Sequence, residues 1–504
     1  MYMADISNSV SRQTGLLVDR SGSVSHVIVG DAKGIFIPDL TAYPLGRKVL
    51  RGLRLIHTHL NNEKMNQDDI TDLSLLRFDA LVVIGMKNGK ADNISVANLL
   101  SSGEETSHEI NGPFPLHGID RALGEFDHFI TLIEDGLESR RIGHDIKDKR
   151  ERALLVSVSA RSRYEQEDSM EELKELATSC NVIVLGSVLQ RPKEINPKYL
   201  IGTGKIRELV ISAMNKGATL LIFDQDLNPS QSKAISDMTE LKVIDRSQLI
   251  LDIFAGRAHS RDGKVQVELA QLRYRLPRLT GKGTAMSRLM GGIGGRGPGE
   301  MKLEVDRRRV RERITLLEKQ LKSLGLARQQ RKARRIAEGL PIISIIGYTN
   351  AGKSTLLNNL TKSTTFVEDK MFATLDTASR RLRFPKERDV IITDTVGFIR
   401  DLPKDLFTAF KATLEELEDA DLLLHLVDIS NPRFEQQIKA VEKILSDLDL
   451  SDKLTLLAFN KADLADEEVI GAVCRRFNAV SLSAKDPKTC KELIKAIEGK
   501  LWPL

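Results

Sequence analysis

The chain has 504 residues, with 75 Lys and Arg against 70 Asp and Glu, for a formal net charge of +5. That length holds three or more domains of about 150 residues, and 41% hydrophobic with 29% charged residues argues against a disordered chain. No apolar run approaches the roughly 18 residues that cross a bilayer, and Met1 to Gly15 contains no apolar signal core, so neither an integral membrane protein nor a secreted one is expected.

Residues 1–148 read as an N-terminal accessory α+β domain. Gly15–Gly30 is two apolar runs about a Ser-Gly turn, the pattern of a hairpin. Leu53–Leu60 and Phe78–Gly85 are further strand candidates, and the polar stretch Ile142–Arg152 is a connecting helix or linker. In residues 149–256 apolar runs at Ala153–Ala160, Val182–Val188, Thr219–Asp224 and Lys242–Asp245 alternate with helical stretches, which predicts a small parallel α/β subdomain. Ser169 is placed as the cap of the first of those helices. Gly202-Thr203-Gly204-Lys205 has two readings, a tight turn before a helix, which is favoured, or a phosphate contact for ATP.

Residues 257–340 hold the charge asymmetry: 22 Lys and Arg against 8 Asp and Glu. Val265, Leu269, Leu272, Leu276 and Leu279 are spaced 4, 3, 4, 3, and Val310, Ile314, Leu317, Leu321 and Leu324 repeat the spacing. Two stripes of this period predict two long helices packed side by side. Between them Gly281–Glu300 carries eight glycines, each costing about 1 kcal/mol in a helix, so a flexible tip is expected there. A basic hairpin suits a polyanion, most often nucleic acid; a solvated helix surface is the plain alternative. Three cysteines, Cys180, Cys474 and Cys490, lie far apart and form neither a disulfide framework nor a paired-thiolate site, which fits a reducing cytoplasm.

Residues 341–504 open with an apolar strand, Ile342–Ile346. Then come Gly347, Tyr348, Thr349, Asn350, Ala351, Gly352, Lys353, Ser354 and Thr355: GxxxxGKS between a strand and a helix. Its backbone N–H groups and helix N-terminus would face phosphates, Lys353 the β/γ-phosphates and Ser354 Mg2+. A second strand ends at Asp394, Thr395, Val396, Gly397 and Phe398. Asp394 can hold Mg2+ through water, and the Gly397 N–H can meet a γ-phosphate. A third leads to Asn460-Lys461-Ala462-Asp463. A carboxylate at Asp463 would accept both donors of the guanine edge, which adenine lacks. Ser483, Ala484 and Lys485 follow the last strand, where backbone could meet guanine O6. The order resembles the Ras-like GTPase motifs throughout, and by that resemblance Thr374, in Phe372-Ala373-Thr374, would coordinate Mg2+, with Thr377 as the alternative. Lys353, Thr374 and Gly397 are the catalytic candidates. Ras-type proteins carry a water-orienting Gln where this chain has Phe398, so slow intrinsic hydrolysis is expected. Asn350 stands where potassium-activated GTPases carry an asparagine, which raises K+ as a cofactor beside GTP/GDP and Mg2+.

Tyr199-Leu-Ile-Gly202-Thr-Gly204-Lys205, Gly291–Glu300 and Asp306–Arg313 lie outside the general GTPase motifs. With them the chain from Ala153 to Leu504 resembles the HflX family of ribosome-associated GTPases. That resemblance implies an α/β subdomain, a helical hairpin and a P-loop G domain. It also implies binding to the large ribosomal subunit, with the hairpin tip towards the peptidyl transferase region, and the splitting or rescue of stalled or idle ribosomes under stress. Arg288, Arg296, Arg307, Arg308 and Arg309 are the candidate rRNA contacts, with Arg311 and Arg313 beside them; some must instead cover the hairpin's outer face. A GTP-regulated RNA-binding or RNA-remodelling, helicase-like protein is the alternative. A cytoplasmic, partly ribosome-associated monomer without a DNA partner is expected. Within the first 148 residues, His57-Thr58-His59 with Asp68, Asp69 and Asp72 downstream faintly resembles a JAMM-type zinc site. The Ser of that pattern is missing and no upstream Glu matches, so zinc is not the expected occupant of His57 and His59 and a docking domain is the favoured reading.

Overall fold

The computed structural model describes residues 1–38, 40, 42–45, 49–102, 105–116, 126–142, 150–279, 298–337, 339–361, 378–384, 388–395, 397–399 and 417–502. The chain divides into two units, residues 1–166, 182–223 and 230–243, and residues 167–181, 224–229 and 244–504.

The first unit begins with helix α1 (Tyr2–Val10) and a six-stranded mixed sheet ordered β2-β1-β3-β4-β5-β6. The expected hairpin is β1 (Thr14–Asp19) and β2 (Val24–Val29), which pair antiparallel. Strand β3 (Leu53–His59) pairs antiparallel with β1 and parallel with β4 (Ala80–Lys87), so the connection from β3 to β4 must cross over, and helix α2 (Gln67–Leu76) makes the crossing. Strands β5 (Lys90–Ser102) and β6 (Glu105–Pro115) extend the sheet. Leu53 and Leu55 of β3, Ile70 and Leu73 of α2, and Ile130 and Ile133 of α3 (Phe126–Ile142) share one core with Leu81, Val83 and Phe78. Each of these side chains contributes on the order of 1.5–3 kcal/mol through burial.

The predicted α/β alternation follows. Strands β7 (Arg152–Val158), β8 (Ile183–Gln190) and β9 (Leu220–Phe223) pair parallel, and β10 (Lys242–Asp245), which follows helix α6 (Pro229–Ser236), completes the order β10-β9-β7-β8. Gly202 is the N-cap of α5 (Thr203–Asn215), the tight-turn role expected of it, and Lys205 pairs with Glu208 at 2.6 Å. Residues 1–148 are stitched to this subdomain. The buried Arg51 reaches Glu240 at 2.6 Å, and Arg77 donates to Asn215 at 2.8 Å.

The second unit contains most of helix α4 (Arg163–Ser179). Ser169 does not cap it: the helix starts six residues earlier, where Ser162 and Glu165 hydrogen-bond each other's backbone N–H. Ser169 is instead buried at mid-helix, donating to Asp224 at 3.0 Å. Helix α7 (Arg246–Arg257) leads to the hairpin, α8 (Arg261–Arg275) and the 40-residue α9 (Pro298–Ala337). Val265, Leu269 and Leu317 form its seam with Leu272, Ile314, Leu321 and Leu324 against them, as the two stripes predict. The first stripe stops short, because Pro277 turns Leu276–Arg278 into a 3-10 turn.

The last part is a six-stranded sheet ordered β12-β13-β11-β14-β15-β16. Strand β11 (Ile342–Ile346) lies between β13 (Asp389–Asp394) and β14 (Leu422–Asp428), parallel to both. β15 (Thr455–Asn460) pairs with β14 and β16 (Val480–Ser481) in the same direction, and β12 (Ala378–Arg383) is an antiparallel edge. Helices α10 (Lys353–Thr361), α11 (Phe434–Asp447), α12 (Glu467–Phe477) and α13 (Cys490–Leu501) complete it. The phosphate loop, Asp394, Asn460-Lys461-Ala462-Asp463 and Ser483-Ala484-Lys485 therefore sit at the carboxyl ends of parallel strands, where an open α/β sheet binds ligands.

Candidate functional site: a P-loop nucleotide pocket

Between β11 and α10 the chain folds as a phosphate loop. Gly347 has φ 148° and Gly352 φ 92°. A Cβ at Gly347 would lie 2.2 Å from the Leu426 carbonyl oxygen, and one at Gly352 would lie 2.2 Å from Asn460 Nδ2. Only glycine fits either position. Asn350, exposed at φ 64°, is a left-handed turn residue in the same loop.

The Lys353 ammonium is buried and donates to the carbonyls of Gly347 (3.1 Å) and Tyr348 (2.8 Å). Burial pushes it down to about 8, against the opposing pull of the Asp394 charge. A cation held this far from water is a receptor for an anion. Ser354 Oγ donates to Asp394 Oδ2 at 2.7 Å. Two hard oxygen donors from different elements thus meet at the mouth of the loop, the donor chemistry of Mg2+.

Gly397 and Phe398 lie against the loop. Thr349 N donates to Phe398 O (2.9 Å), and Phe398 N to Gly347 O (3.1 Å). The Phe398 ring is buried with Ile346, Leu417 and Leu423, so it has no access to a water that would need orienting.

Asn460 joins three motifs. Its Nδ2 donates to Ala351 O at 2.7 Å and its Oδ1 accepts from Ala484 N at 2.8 Å, tying the phosphate loop, Asn460-Lys461-Ala462-Asp463 and Ser483-Ala484-Lys485 together. Lys461, at φ 60°, pairs with Asp428 at 2.7 Å, while the Asp463 and Lys485 side chains are exposed. Phe372, Ala373, Thr374, Thr377 and Val396 lie outside the described residues.

Sequence reasoning missed the other half of the loop's support. The Tyr348 hydroxyl donates to Glu172 of α4. Glu172 also takes Arg246 at 2.6 Å, and Arg246 reaches Asp224 at 2.9 Å. Arg433, just before α11, pairs with Asp168 and, at 3.0 Å, with Glu171. The acidic face of α4 therefore grips the phosphate loop and the turn after β14. The partners are distant in sequence, and no local pattern marks them.

On the hairpin, Arg313 pairs with Glu268 at 2.7 Å and Arg307 donates to Leu279 O at 3.0 Å, so both brace the two helices. Arg308, Arg309 and Arg311 are exposed, and Arg308 faces Glu312 on its own helix at 3.6 Å. Arg288 and Arg296 lie outside the described residues.

Family models match the chain in three consecutive stretches: GTP-binding GTPase N-terminal over residues 167–255, GTP-binding GTPase middle region over 257–335, and 50S ribosome-binding GTPase over 342–461. The GTPase HflX of Caldanaerobacter subterraneus is 49% identical over 71% of this chain and 82% of its own length. The chain belongs to the HflX family of GTPases. The GTPase HflX of Escherichia coli is 40% identical over 71% of this chain and 84% of its own. Among solved structures, a GTP-binding protein from Sulfolobus solfataricus in complex with GDP aligns with 24% identity over 69% of this chain and 99% of that one, at a TM-score of 0.39. As a family member this chain is a GTPase, with a mixed α/β fold built on a P-loop G domain.

Proposed function

We propose that this GTPase is a translation factor that binds the large ribosomal subunit through its basic hairpin and separates or rescues stalled or idle ribosomes. The observation that carries the reading is continuity: α9, the 40-residue helix of the basic hairpin, runs to Ala337, and the phosphate-loop strand begins at Ile342. Events at the phosphates and at the hairpin are thus separated by four residues. The 50S ribosome-binding GTPase match points to the same partner. Exposed Arg308, Arg309 and Arg311 suit irregular rRNA, with Arg288 and Arg296 of the tip as further candidates; such contacts weaken as salt rises.

In this reading the loop N–H groups and Lys353 bind the GTP phosphates, and Asp463 selects guanine. Ser354 and Asp394 hold Mg2+, with Thr374 as the third expected ligand. Bound Mg2+ neutralises charge on the β- and γ-oxygens. The Gly397 N–H senses the γ-phosphate, and hydrolysis releases the segment after it. Phe398 supplies no water-orienting group, so hydrolysis is slow until the ribosome contributes one. K+ at Asn350 is a further proposal, tested by comparing turnover in KCl and NaCl.

Sucrose-gradient sedimentation of 70S ribosomes with the protein and a non-hydrolysable GTP analogue tests the proposal. Conversion into subunits supports it. RNA binding with intact 70S particles would favour the GTP-regulated RNA-binding alternative.

A further inference from the structure

The N-terminal sheet holds a polar cluster that the GTPase reading leaves unused. His57 and His59, two residues apart on β3, continue the strand face that Leu53 and Leu55 present to α2, and both are 1% exposed. Asp69 comes to them from the first turn of α2, also buried. The capping box of that helix fixes it: Asn66 N donates to Asp69 Oδ2 at 2.7 Å, and Asp69 N donates to Asn66 Oδ1 at 3.0 Å. His59 Nδ1 bonds the Glu63 carbonyl at 3.0 Å, so in the neutral ring it is Nε2, the nitrogen facing Asp69, that carries the lone pair a metal would use.

Among the described residues, both ring nitrogens of His57, Nε2 of His59 and both side-chain amide atoms of Gln13 are buried without a hydrogen-bond partner. Gln13 is drawn into this cluster by register. Gly15 of β1 is paired with His57, and the same antiparallel register continued by two residues would put residue 13 opposite His59 on the same face. Buried polar atoms are nearly always satisfied, and this concentration of exceptions calls for a missing partner.

The distances discriminate between partners. His57 Nε2 lies 3.4 Å from Asp69 Oδ1, and His59 Nε2 lies 3.5 Å from Asp69 Oδ2. A charged imidazolium–carboxylate hydrogen bond would close to about 2.7–2.9 Å. Donors about 2.05 Å from a tetrahedral zinc stand about 3.3 Å from one another, close to each of the two imidazole–carboxylate separations, which run to different oxygens of Asp69. One donor atom from each of the three residues lies within 4.8 Å of the others, so the widest pair closes by at most about 1.5 Å on a metal.

We propose that His57 Nε2, His59 Nε2 and the Asp69 carboxylate form a zinc site, with a water in the fourth position hydrogen-bonded by the Gln13 amide. Two neutral imidazoles and one carboxylate suit a borderline divalent transition metal rather than Ca2+ or Mg2+. Three protein ligands with a water are the open form of a zinc site. The site lies at the carboxyl ends of the parallel pair β3 and β4, with Gly85 across from His59.

The test uses the full chain, stripped with EDTA, free of nucleotide and titrated with Zn2+ against a chromophoric chelator. The expected result is one equivalent of zinc retained through gel filtration. Asp69→Asn, which keeps the capping geometry, and His57→Gln each weaken binding by on the order of 100-fold or more, while Cys180→Ser does not. Co2+ added to the parent chain gives the visible absorption of tetrahedral nitrogen and oxygen ligation without a thiolate band, a readout that needs no variant. Less than about a tenth of an equivalent of zinc, a thiolate band, or binding unchanged in well-folded Asp69→Asn overturns the proposal.

Discussion

Asn460 and His57 are both almost fully buried polar side chains, at 2% and 1% exposure, yet Asn460 uses both ends of its amide inside the protein and His57 has neither ring nitrogen hydrogen-bonded. The contrast extends to their neighbours. In the nucleotide pocket Lys353 is held by loop carbonyls, Ser354 by Asp394 and Tyr348 by Glu172. Around His57, the rings of His59 and His57 meet edge to face at 4.9 Å and share one carboxylate at distances too long for good hydrogen bonds. The first region is kept in shape by its own bonds, so the phosphate loop is preorganised. The second carries buried polar atoms that each cost about 1–3 kcal/mol until a partner arrives.

The contrast can be broken first at the support of the loop. Arg246→Ala leaves the carboxylates of Glu172 and Asp224 buried without their shared cation, and about 3–5 kcal/mol of stability should be lost in urea unfolding. A loss under about 1 kcal/mol would show that the network does not brace the loop. Asn460→Ala orphans the Ala351 carbonyl and the Ala484 N–H, and should cost about 2–4 kcal/mol without any nucleotide present, since the bonds it removes are internal. A variant as stable as the parent in nucleotide-free calorimetry would contradict the preorganised loop.

Lys353 gives a pH signature. Its ammonium is pushed down to about 8 by burial, and phosphates would raise it again, so GTP binding takes up a proton. Affinity should be flat below about pH 8 and fall up to tenfold per unit above it, read by fluorescent-nucleotide titration; a flat profile to pH 9.5 would remove Lys353 from the site. Tyr348→Phe deletes one hydrogen bond to Glu172 and should cost about 1 kcal/mol. The smallest effect belongs to the other region: in EDTA, His57→Leu should change stability by less than about 1 kcal/mol or raise it, because the ring it replaces is unsatisfied there. A loss of more than about 2 kcal/mol would mean that His57 has a partner within the protein and would erase the difference between the two regions.

Much of the second unit was legible because its motifs are contiguous. A strand, a glycine-bearing loop and a helix N-terminus occupy thirteen consecutive residues from Ile342 to Ser354, and the hairpin announces itself by two stripes of one period. What was not legible is pairing at a distance. Tyr348 and Glu172 are 176 residues apart, and nothing near either predicts the other. Ser169 looked like a cap because polar residues start helices, but its hydroxyl has a buried partner in Asp224 that the local pattern cannot show. In the N-terminal sheet the period-two spacing of His57 and His59 was readable, whereas choosing among Asp68, Asp69 and Asp72 required the register of α2. With Asn66 as its N-cap, only Asp69 occupies the N3 position that points back at the cap and the strand end. Asp68 is exposed and faces Arg207 at 3.5 Å, and Asp72, pushed up to about 6 by burial, follows Asp69 by three residues along α2.

In the proposed function the pocket, which has Phe398 where a water-orienting side chain would stand, takes that group from the large ribosomal subunit. GTP turnover with and without purified large subunits, in potassium buffer and with ATP as a parallel substrate, tests it most directly. Stimulation on the order of a hundredfold or more, with GTP and not ATP, is the predicted result. Turnover unchanged by the subunits, or fast without them, would contradict it.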